Sequence, residues 1–354
     1  MRRRPQRGHQ AARGGGRVVA HAPTWRRRLT TWVSPASISV GGGRGSGPIL
    51  RSLWPTILAM IAFAGNSLLA RLALADGAVD AAGFTALRLL SGAAVLAVIV
   101  FAPRLAAQSP RGRRGSDAAV ASAPPARLEG SLVATLALSA YALFFSLAYL
   151  RLGAAVGALI LFASVQATMI AVGVARGERP SPREAAGLAL AFGAFVWWLA
   201  PGLTRPDPLG LSMMVASGIA WGVYSLKGRG ARDPVAATAG NFIYAVPLAL
   251  PLLAASILAA RGPAGSLFGG VITLEGALIA CLSGAVTSAL GYILWYRALA
   301  GLTALAAAIV QLSVPVIAAV GAVLFLGEPL TARFAVAGSL VILGIGFALV
   351  SKRR

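Results

Sequence analysis

The chain has 354 residues, of which 57% are hydrophobic and 12% charged, and its 32 lysines and arginines against 10 acids give a net charge of +22. Soluble domains are typically about 45–50% apolar and about 25% charged, so this chain has more apolar side chains than a soluble core of its size buries. A soluble enzyme is therefore excluded, as is a disordered basic protein, because disorder requires low hydrophobicity.

Residues 1–52 form a basic segment with eleven arginines and no acid. This composition is typical of a disordered tail. We expect no nucleic acid to bind there, because positive charge alone provides no geometry for bases or phosphates. The alternative is a membrane anchor whose basic tail is the working part and binds nucleic acid or anionic lipid. The sequence also leaves open whether this tail is translated.

Apolar runs repeat from residue 53 onward, each close to the ~20 residues that cross a ~30 Å hydrocarbon core. The predicted helices are 53–75, 81–102, 131–150, 154–175, 185–200, 209–226, 235–260, 276–296, 302–326 and 334–350. The sequence therefore predicts an all-α integral membrane protein with ten transmembrane helices.

Three predicted helices begin with residues that are typical of helix N-termini. Asp207-Pro208 and Asp233-Pro234 each place a capping acceptor before a proline at the first helical position, where no needed donor is lost. Ser181 and Glu184 have the spacing of a capping box, with Pro182 between them.

The distribution of positive charge predicts the orientation. With the N-terminus inside, cytoplasmic segments hold 26 lysines and arginines and outer loops hold four; without the tail the numbers are 15 and four. Cytoplasmic loops carry the excess of positive charge in membrane proteins. We expect a multi-pass protein of the inner (plasma) membrane with both termini in the cytoplasm.

The linkers after the fourth and ninth predicted helices resemble each other. Gly177-Glu178 matches Gly327-Glu328 at an offset of 150 residues, and Ser181 and Arg183 match Thr331 and Arg333 at the same offset. This pattern predicts two halves of five helices, 53–200 and 209–350. Since five is odd, the second half is inverted, as in alternating-access carriers. The alternative is chance similarity among helices rich in alanine, glycine and leucine.

The chain resembles the EamA branch of the drug/metabolite transporter superfamily. The segments that carry the resemblance are GNSLLARLAL (65–74), FTALRLL (84–90), the Gly177-Glu178 linker, IAWGVYSL (219–226) and the stretch 296–331 with its Pro315 and Gly327-Glu328-Pro329. The resemblance implies two inverted EamA repeats and alternating-access transport of small, amino-acid-like or amphipathic metabolites, by efflux. It departs in the first half, where no proline corresponds to Pro315.

Arg88 is a candidate substrate-binding residue, because it lies eight residues into the second predicted helix. An arginine at a helix centre costs about 2.5–3.5 kcal/mol on insertion scales, so it should face the protein interior and a partner. A guanidinium there could hold a substrate carboxylate by two parallel hydrogen bonds. The alternative is a structural ion pair with Asp80 or Asp76. Arg71 is expected to reach the membrane interface.

Two prolines predict kinks that line a pathway. Pro315 cannot donate to the carbonyl of Gln311, so an amide side chain and a free acceptor lie together. Pro247 frees the carbonyl of Ile243 in the same way, close to Asn241. Each kink is a candidate part of the site, the alternative being a bend satisfied by a neighbouring helix.

Other polar and aromatic residues at membrane depth complete the candidates. Asn66 and Gln166 either contact substrate or join helices to each other. Tyr141 and Trp221 are deep enough to stack on a ligand.

The sequence does not predict a catalytic site. The sequence contains two histidines, both within the first 21 residues, and one cysteine, and no nucleophile and base, metal ligands or paired acids cluster at membrane depth. We therefore expect no enzyme activity and no cofactor, with a small-molecule substrate and the lipid bilayer as partners. Oligomeric state, energy coupling and the identity of the substrate stay open.

Overall fold

The fold was analysed in a computed structural model, which describes residues 48–75, 77–108, 128–203, 205–259 and 270–350. Within these ranges the chain is helical, and nine helices are long and apolar enough to cross a membrane. The predicted all-α membrane fold is therefore confirmed. Of the predicted basic tail, residues 1–47 lie outside the described ranges, whereas residues 48–52 already belong to the first helix.

The helices follow the predicted spans within a few residues at most ends. They are α1 (Pro48–Ala75), α2 (Ala81–Gln108), α3 and α4 (together Leu132–Ala175), α5 (Pro182–Leu199), α6 (Pro208–Gly228), α7 (Pro234–Ala259), α8 (Leu274–Leu299), α9 (Ala304–Leu326) and α10 (Ala332–Val350).

The 44-residue helix Leu132–Ala175 contains two spans. At ~1.5 Å per residue it would be about 66 Å long, more than twice the ~30 Å hydrocarbon core. Gly153 interrupts it with φ 71° and ψ 172°, so we treat 132–152 as α3 and 154–175 as α4. Glycine suits this position because it adopts positive φ without a steric penalty. Counted in this way, the described ranges contain the ten predicted spans.

The predicted helix caps are confirmed. The Ser181 hydroxyl accepts from the Glu184 N–H at 3.2 Å, and the Glu184 carboxylate accepts from the Ser181 N–H at 2.9 Å, which completes the capping box. Asp207 accepts from the Gly210 N–H at 2.7 Å at the start of α6. Asp233 accepts from the Ala236 N–H at 3.1 Å at the start of α7.

Two helices are irregular at mid-depth. α8 becomes a π-helix between Ser283 and Leu290, a feature that occurs frequently at functional sites and that the sequence did not reveal. α9 is divided into Ala304–Gln311 and Ser313–Leu326, close to the kink expected from Pro315.

The packing of the helices is compatible with two inverted halves. α2 packs against α7 and α5 against α10, which are corresponding helices of the predicted repeat, while α1 packs against α8 and α9. The two matching linkers also share their backbone geometry, since Gly177 and Gly327 have φ values of 88° and 68°. Left-handed glycines are common where helices end. The inverted repeat itself stays a prediction.

Contacts between loops define two ends of the bundle. At the predicted outer end, the Val79 segment forms a single bridge with Ile272, and the side chain of Arg333 donates from Nε to the Trp197 carbonyl at 3.0 Å. At the predicted cytoplasmic end, the Asp233 N–H donates to Glu129 at 3.4 Å.

Candidate substrate site

A small chamber lies at mid-depth and opens into a larger vestibule. It has room of about 40 Å³, enough for a few water molecules. Its polar and aromatic lining comes from six helices: Phe63, Asn66, Ser67, Tyr141, Phe145, Phe162, Trp221, Tyr292 and Gln311. The vestibule has a volume of about 330 Å³. Ser67, Phe145 and Val314 line both spaces, so the two are continuous.

The vestibule extends from the chamber towards the predicted outer end. Its wall includes Pro315 and Ala319 of α9, and Arg71 and Glu328 lie at its far end. The two charged side chains form an ion pair and are 42% and 38% exposed. Arg71, predicted to reach the interface, thus has an acidic partner there.

Arg88 is buried behind the chamber, with 1% of its surface exposed. Its Nε donates to the Ser288 hydroxyl at 2.8 Å and Nη2 donates to the Tyr292 hydroxyl at 2.5 Å. The guanidinium carbon lies 5.4 Å from the centre of the Tyr141 ring. The third nitrogen, Nη1, has no hydrogen-bond partner. One donor of a buried cation is therefore without a partner; Arg88 itself does not line the chamber, whereas its neighbours Tyr141 and Tyr292 do.

Arg88 reaches α8 because the two helices approach closely at Gly284. A Cβ at Gly284 would lie 2.1 Å from the Arg88 carbonyl and from the Ser91 hydroxyl, so only glycine fits. The π-helical segment that contains Gly284 also presents Ser288, while Tyr292 follows one turn later. Ser288 and Tyr292 are thus site residues that the sequence reasoning missed.

The ion pair weighed as an alternative for Arg88 is not formed with Asp80. The Asp80 carboxylate caps α2, accepting from the N–H groups of Ala82 and Gly83 at 2.9 Å each, and also accepts from the Ser256 hydroxyl. Asp76 lies outside the described residues. Within the described ranges, the ion pairs are those of Arg71, Arg151 and Arg229, so Arg88 has no acidic partner there.

Asn66 lies in the chamber wall and joins α1 to α8. Its side-chain oxygen accepts from the Ser283 hydroxyl at 2.7 Å and from the Thr287 hydroxyl at 3.5 Å. Both hydroxyls belong to the π-helical segment. Asn66 therefore joins two helices, as one of the two sequence readings expected, and it also lines the chamber; substrate contact stays a prediction.

Trp221 and Gln311 form a bonded pair in the same wall. The indole N–H donates to the Gln311 side-chain oxygen at 2.6 Å, and the Gln311 amide donates to the Ala307 carbonyl at 3.0 Å. Trp221 also packs against Tyr141 and Phe63, with ring centres 4.7 Å and 5.1 Å apart. The chamber thus has an aromatic wall held in a defined orientation.

The remaining candidates lie outside the chamber lining. Gln166 donates to the Ala308 carbonyl at 2.8 Å and connects α4 to α9. Asn241 accepts from the Ser131 N–H at 3.0 Å and donates to the Tyr296 hydroxyl at 3.3 Å, so it connects α7 to α3 and α8. Pro247 is exposed on the outer surface of α7. Pro315, by contrast, lines the vestibule.

Buried aromatic residues close the bundle on the predicted cytoplasmic side of the chamber. We call Tyr224, Trp295 and Tyr296 the aromatic seal; each is at most 2% exposed. The Tyr296 hydroxyl donates to the Tyr224 carbonyl at 3.2 Å, and the Trp295 indole donates to the Ser225 hydroxyl at 3.0 Å. The chamber is thus continuous with the vestibule on one side and faces the aromatic seal on the other.

Comparison with known proteins identifies the family. Residues 208–350, which comprise α6–α10, match the EamA-like transporter family. The chain is 46% identical over 306 residues to a protein of Pseudomonas aeruginosa, the uncharacterized protein PA1977; the match spans 86% of this chain and 95% of that protein. A crystal structure with 20% sequence identity superposes with a TM-score of 0.60 over 84% of this chain and 99% of the other, which supports the fold.

Family and fold agree with each other and with the resemblance drawn from the sequence. Members of this family are transporters rather than enzymes, and the apolar helices make this chain a multi-pass membrane protein. The protein belongs to the EamA-like transporter family of the drug/metabolite transporter superfamily.

Proposed function

We propose that the protein exports small amphipathic, amino-acid-like solutes that carry a carboxylate, and that it does so by alternating access across the inner (plasma) membrane. The observation that carries this proposal is the buried Arg88, whose Nη1 has no hydrogen-bond partner. Burying a charge without a counter-charge is costly. A substrate carboxylate would supply both the missing charge and the missing acceptor.

The neighbouring side chains suit such a ligand. Arg88 can offer Nη1 to a carboxylate oxygen, and the hydroxyl of Tyr292, which accepts from Arg88, still has its own proton to donate. The rings of Tyr141, Trp221 and Phe63 would contact the apolar part of the solute. The empty chamber is smaller than such a solute, so binding requires the aromatic wall to move outward.

Alternating access agrees with the asymmetry of the bundle. The chamber is continuous with the vestibule, whereas the aromatic seal lies on its other side. This arrangement corresponds to an outward-facing state if both termini are cytoplasmic, as the distribution of positive charge predicts. The inward-facing state would require the seal to separate. Efflux as the direction rests on the family resemblance.

The proposal is tested by transport with purified protein in liposomes. Screening amino acids and related carboxylates identifies a substrate, and Arg88→Ala is then compared with Arg88→Lys and with Arg151→Ala. Hydrogen bonds to charged groups contribute about 1.5–3 kcal/mol, so we expect Arg88→Ala to raise KM roughly 10–100-fold. Arg88→Lys should retain part of the affinity, because it keeps the charge but loses the planar fork.

Arg151→Ala is the matched control, since Arg151 forms an exposed ion pair with Asp207 away from the chamber. It should transport like the parent protein. Each variant is checked for monodispersity and thermal stability in detergent. Parental transport kinetics in a folded Arg88→Ala protein would contradict the carboxylate site.

A further inference from the structure

Each end of the bundle has one ion pair between an arginine and the carboxylate of a matching linker. At the predicted cytoplasmic end, Arg229 binds the Glu178 carboxylate at 2.8 Å. At the predicted outer end, Arg71 binds Glu328. Glu178 and Glu328 occupy the same place in their linkers, directly after Gly177 and Gly327 with their positive φ. Both ion pairs connect one predicted half of the protein to the other.

The cytoplasmic ion pair has an additional bond that ties several elements together. The second oxygen of Glu178 accepts from the N–H of Ala304, the first residue of α9, at 2.9 Å. Arg229 also donates to the Leu302 carbonyl at 3.1 Å. The pKa of the neighbouring Arg176 is lowered by burial and then by Arg229, and raised by Glu178. Glu178 thus holds α6 and the start of α9 against the linker in a positively charged environment.

The outer ion pair is more open. Glu328 and Arg71 are 38% and 42% exposed, compared with 25% and 21% for Glu178 and Arg229. Glu328 shares the vestibule wall with Ala154 at the start of α4. No bond from Glu328 to Ala154 is present in the part of the chain that the structure describes. The carboxylate and this helix start thus line the same vestibule without a bond between them in the described residues.

Ala154 is the counterpart of Ala304 in the predicted repeat. The offset of 150 residues that relates Glu178 to Glu328 also relates Ala154 to Ala304. Gly153 interrupts the helix immediately before Ala154, so α4 has a helix start of its own at the vestibule. The first turn of a helix has N–H groups without intrahelical partners and a partial positive charge, both of which favour a carboxylate.

We propose that Glu178 and Glu328 are alternating latches, each closing one end by capping the helix start opposite it. In the present state Glu178 caps α9 at Ala304, and the aromatic seal closes the chamber on the cytoplasmic side. In the opposite state Glu328 caps α4 at Ala154 and closes the vestibule, while Glu178 leaves Ala304. This inference rests on the alternating access proposed above.

The experiment measures which end is open, without using a substrate. Cys281 is first replaced by serine, and Ala319→Cys is introduced as a reporter in the vestibule wall. Alkylation by a membrane-impermeant maleimide from the outside then reports the outward-facing population. We expect Glu178→Gln to slow labelling at least threefold, because the amide is uncharged and has a single acceptor oxygen, so it cannot bind Arg229 and cap Ala304 together, and the weakened latch shifts the protein towards the inward-facing state.

The double variant provides the decisive comparison. Adding Glu328→Gln to Glu178→Gln should restore labelling to near the parental rate, because the outer end then lacks its own latch. The proposal is overturned if Glu178→Gln leaves the labelling rate unchanged. It is equally overturned if labelling slows and Glu328→Gln does not restore it.

A proline variant tests the capping bond without changing any charge. Ala304→Pro removes the N–H that binds Glu178, at a first helical position where proline is well tolerated. Thr303 already has φ −70° and ψ 165°, the extended geometry required before proline. We expect labelling to slow as in Glu178→Gln. Ala332→Pro, at the exposed first position of α10, is the control and should label like the parent.

A second reporter separates failure of the latches from failure of alternating access. Ser225→Cys lies in contact with the aromatic seal and is labelled from the cytoplasmic side. If it becomes reactive when substrate is added but neither glutamate variant changes the labelling of either reporter, the latches are overturned and alternating access stands. If it stays unreactive under all conditions while transport proceeds, alternating access through this seal is overturned.

Discussion

Arg88 is positioned by two hydroxyl groups rather than by an acid. Ser288 and Tyr292 accept two of its donors and fix the plane of the guanidinium, so that Nη1 points away from both. Neutral acceptors orient the cation without neutralising it. A carboxylate in their place would compete with an anionic substrate for the same charge.

Replacing Tyr292 by phenylalanine tests this positioning. The change removes one acceptor from Arg88 and keeps the ring that packs against Trp221 and Phe63. We expect KM to rise roughly tenfold, because the charged guanidinium loses the hydroxyl that orients it and hydrogen bonds to charged groups contribute about 1.5–3 kcal/mol, while kcat changes less. Tyr244→Phe is the control, since Tyr244 is 46% exposed on α7. Equal KM values for both variants would contradict the positioning role.

Four residues of the chamber lining, Asn66, Tyr141, Trp221 and Gln311, were predicted from the sequence, but the partners of Arg88 were not. A buried arginine, asparagine or glutamine in an apolar helix is conspicuous, and Arg88, Asn66 and Gln311 were found in this way. Serine and tyrosine occur in many membrane helices without any functional role. Ser288 and Tyr292 are brought to Arg88 by the π-helical segment of α8, and the hydrophobic pattern of the sequence did not predict that segment.

At the scale of elements, glycines decide where helices break and where they meet. Gly153 divides one long helix into α3 and α4. Without this break, α4 would not begin at the vestibule. Gly240 serves a different purpose: a Cβ there would lie 2.3 Å from the backbone nitrogen of Gly130. Gly153 is required for its backbone conformation, whereas Gly240 is required because a side chain would not fit against the backbone of Gly130.

Gly153→Ala should destabilise the protein through the backbone alone. A Cβ at Gly153 has no atom within 4 Å, but φ is +71°. With ψ at 172° as well, this backbone conformation is essentially restricted to glycine, and it costs an L-residue roughly 1–3 kcal/mol. We expect a lower midpoint of thermal unfolding in detergent. Gly193→Ala is the control, because its Cβ also has open space and its φ is not positive; helix propensity predicts an unchanged or higher midpoint there.

The spans and caps were predictable because each depends on local sequence. Apolar length defines a transmembrane helix, and Asp207, Asp233 and Ser181 mark their helix starts through their own side chains. The contact between Gln166 and α9 or between Asn241 and α3 depends on which helices are neighbours. A polar residue in an apolar helix thus predicts that a hydrogen-bond partner is present, but the sequence does not identify that partner.

For the whole molecule, the net charge of +22 has two separate origins. Half comes from residues 1–52 and the rest from the body, where the basic residues are concentrated at the predicted cytoplasmic loops. The first helix begins at Pro48, so a truncation that spares the helices has to stop at residue 47. The two origins can therefore be separated experimentally.

Deleting residues 1–47 should leave transport unchanged in liposomes, because the chamber, the vestibule and the aromatic seal are all formed by residues between Phe63 and Glu328. The initial rate is compared at equal amounts of inserted protein, with Arg88→Ala in the truncated background as the negative control. Loss of all transport in a well-folded truncated protein would favour the alternative in which the basic tail is the working part.

In the proposed alternating-access cycle, the unpaired charge of Arg88 would also determine how the membrane voltage acts on transport. Arg88 has no acidic partner among the described residues, so in that cycle the empty carrier would keep one positive charge at the candidate site in both states. A potential that is negative inside favours the inward-facing form of the empty carrier by up to about 2.3 kcal/mol per 100 mV. A monoanion cancels this bias when it binds, whereas a zwitterion does not. Export of a monoanion should therefore accelerate with inside-negative voltage, because the voltage resets the empty carrier after each release.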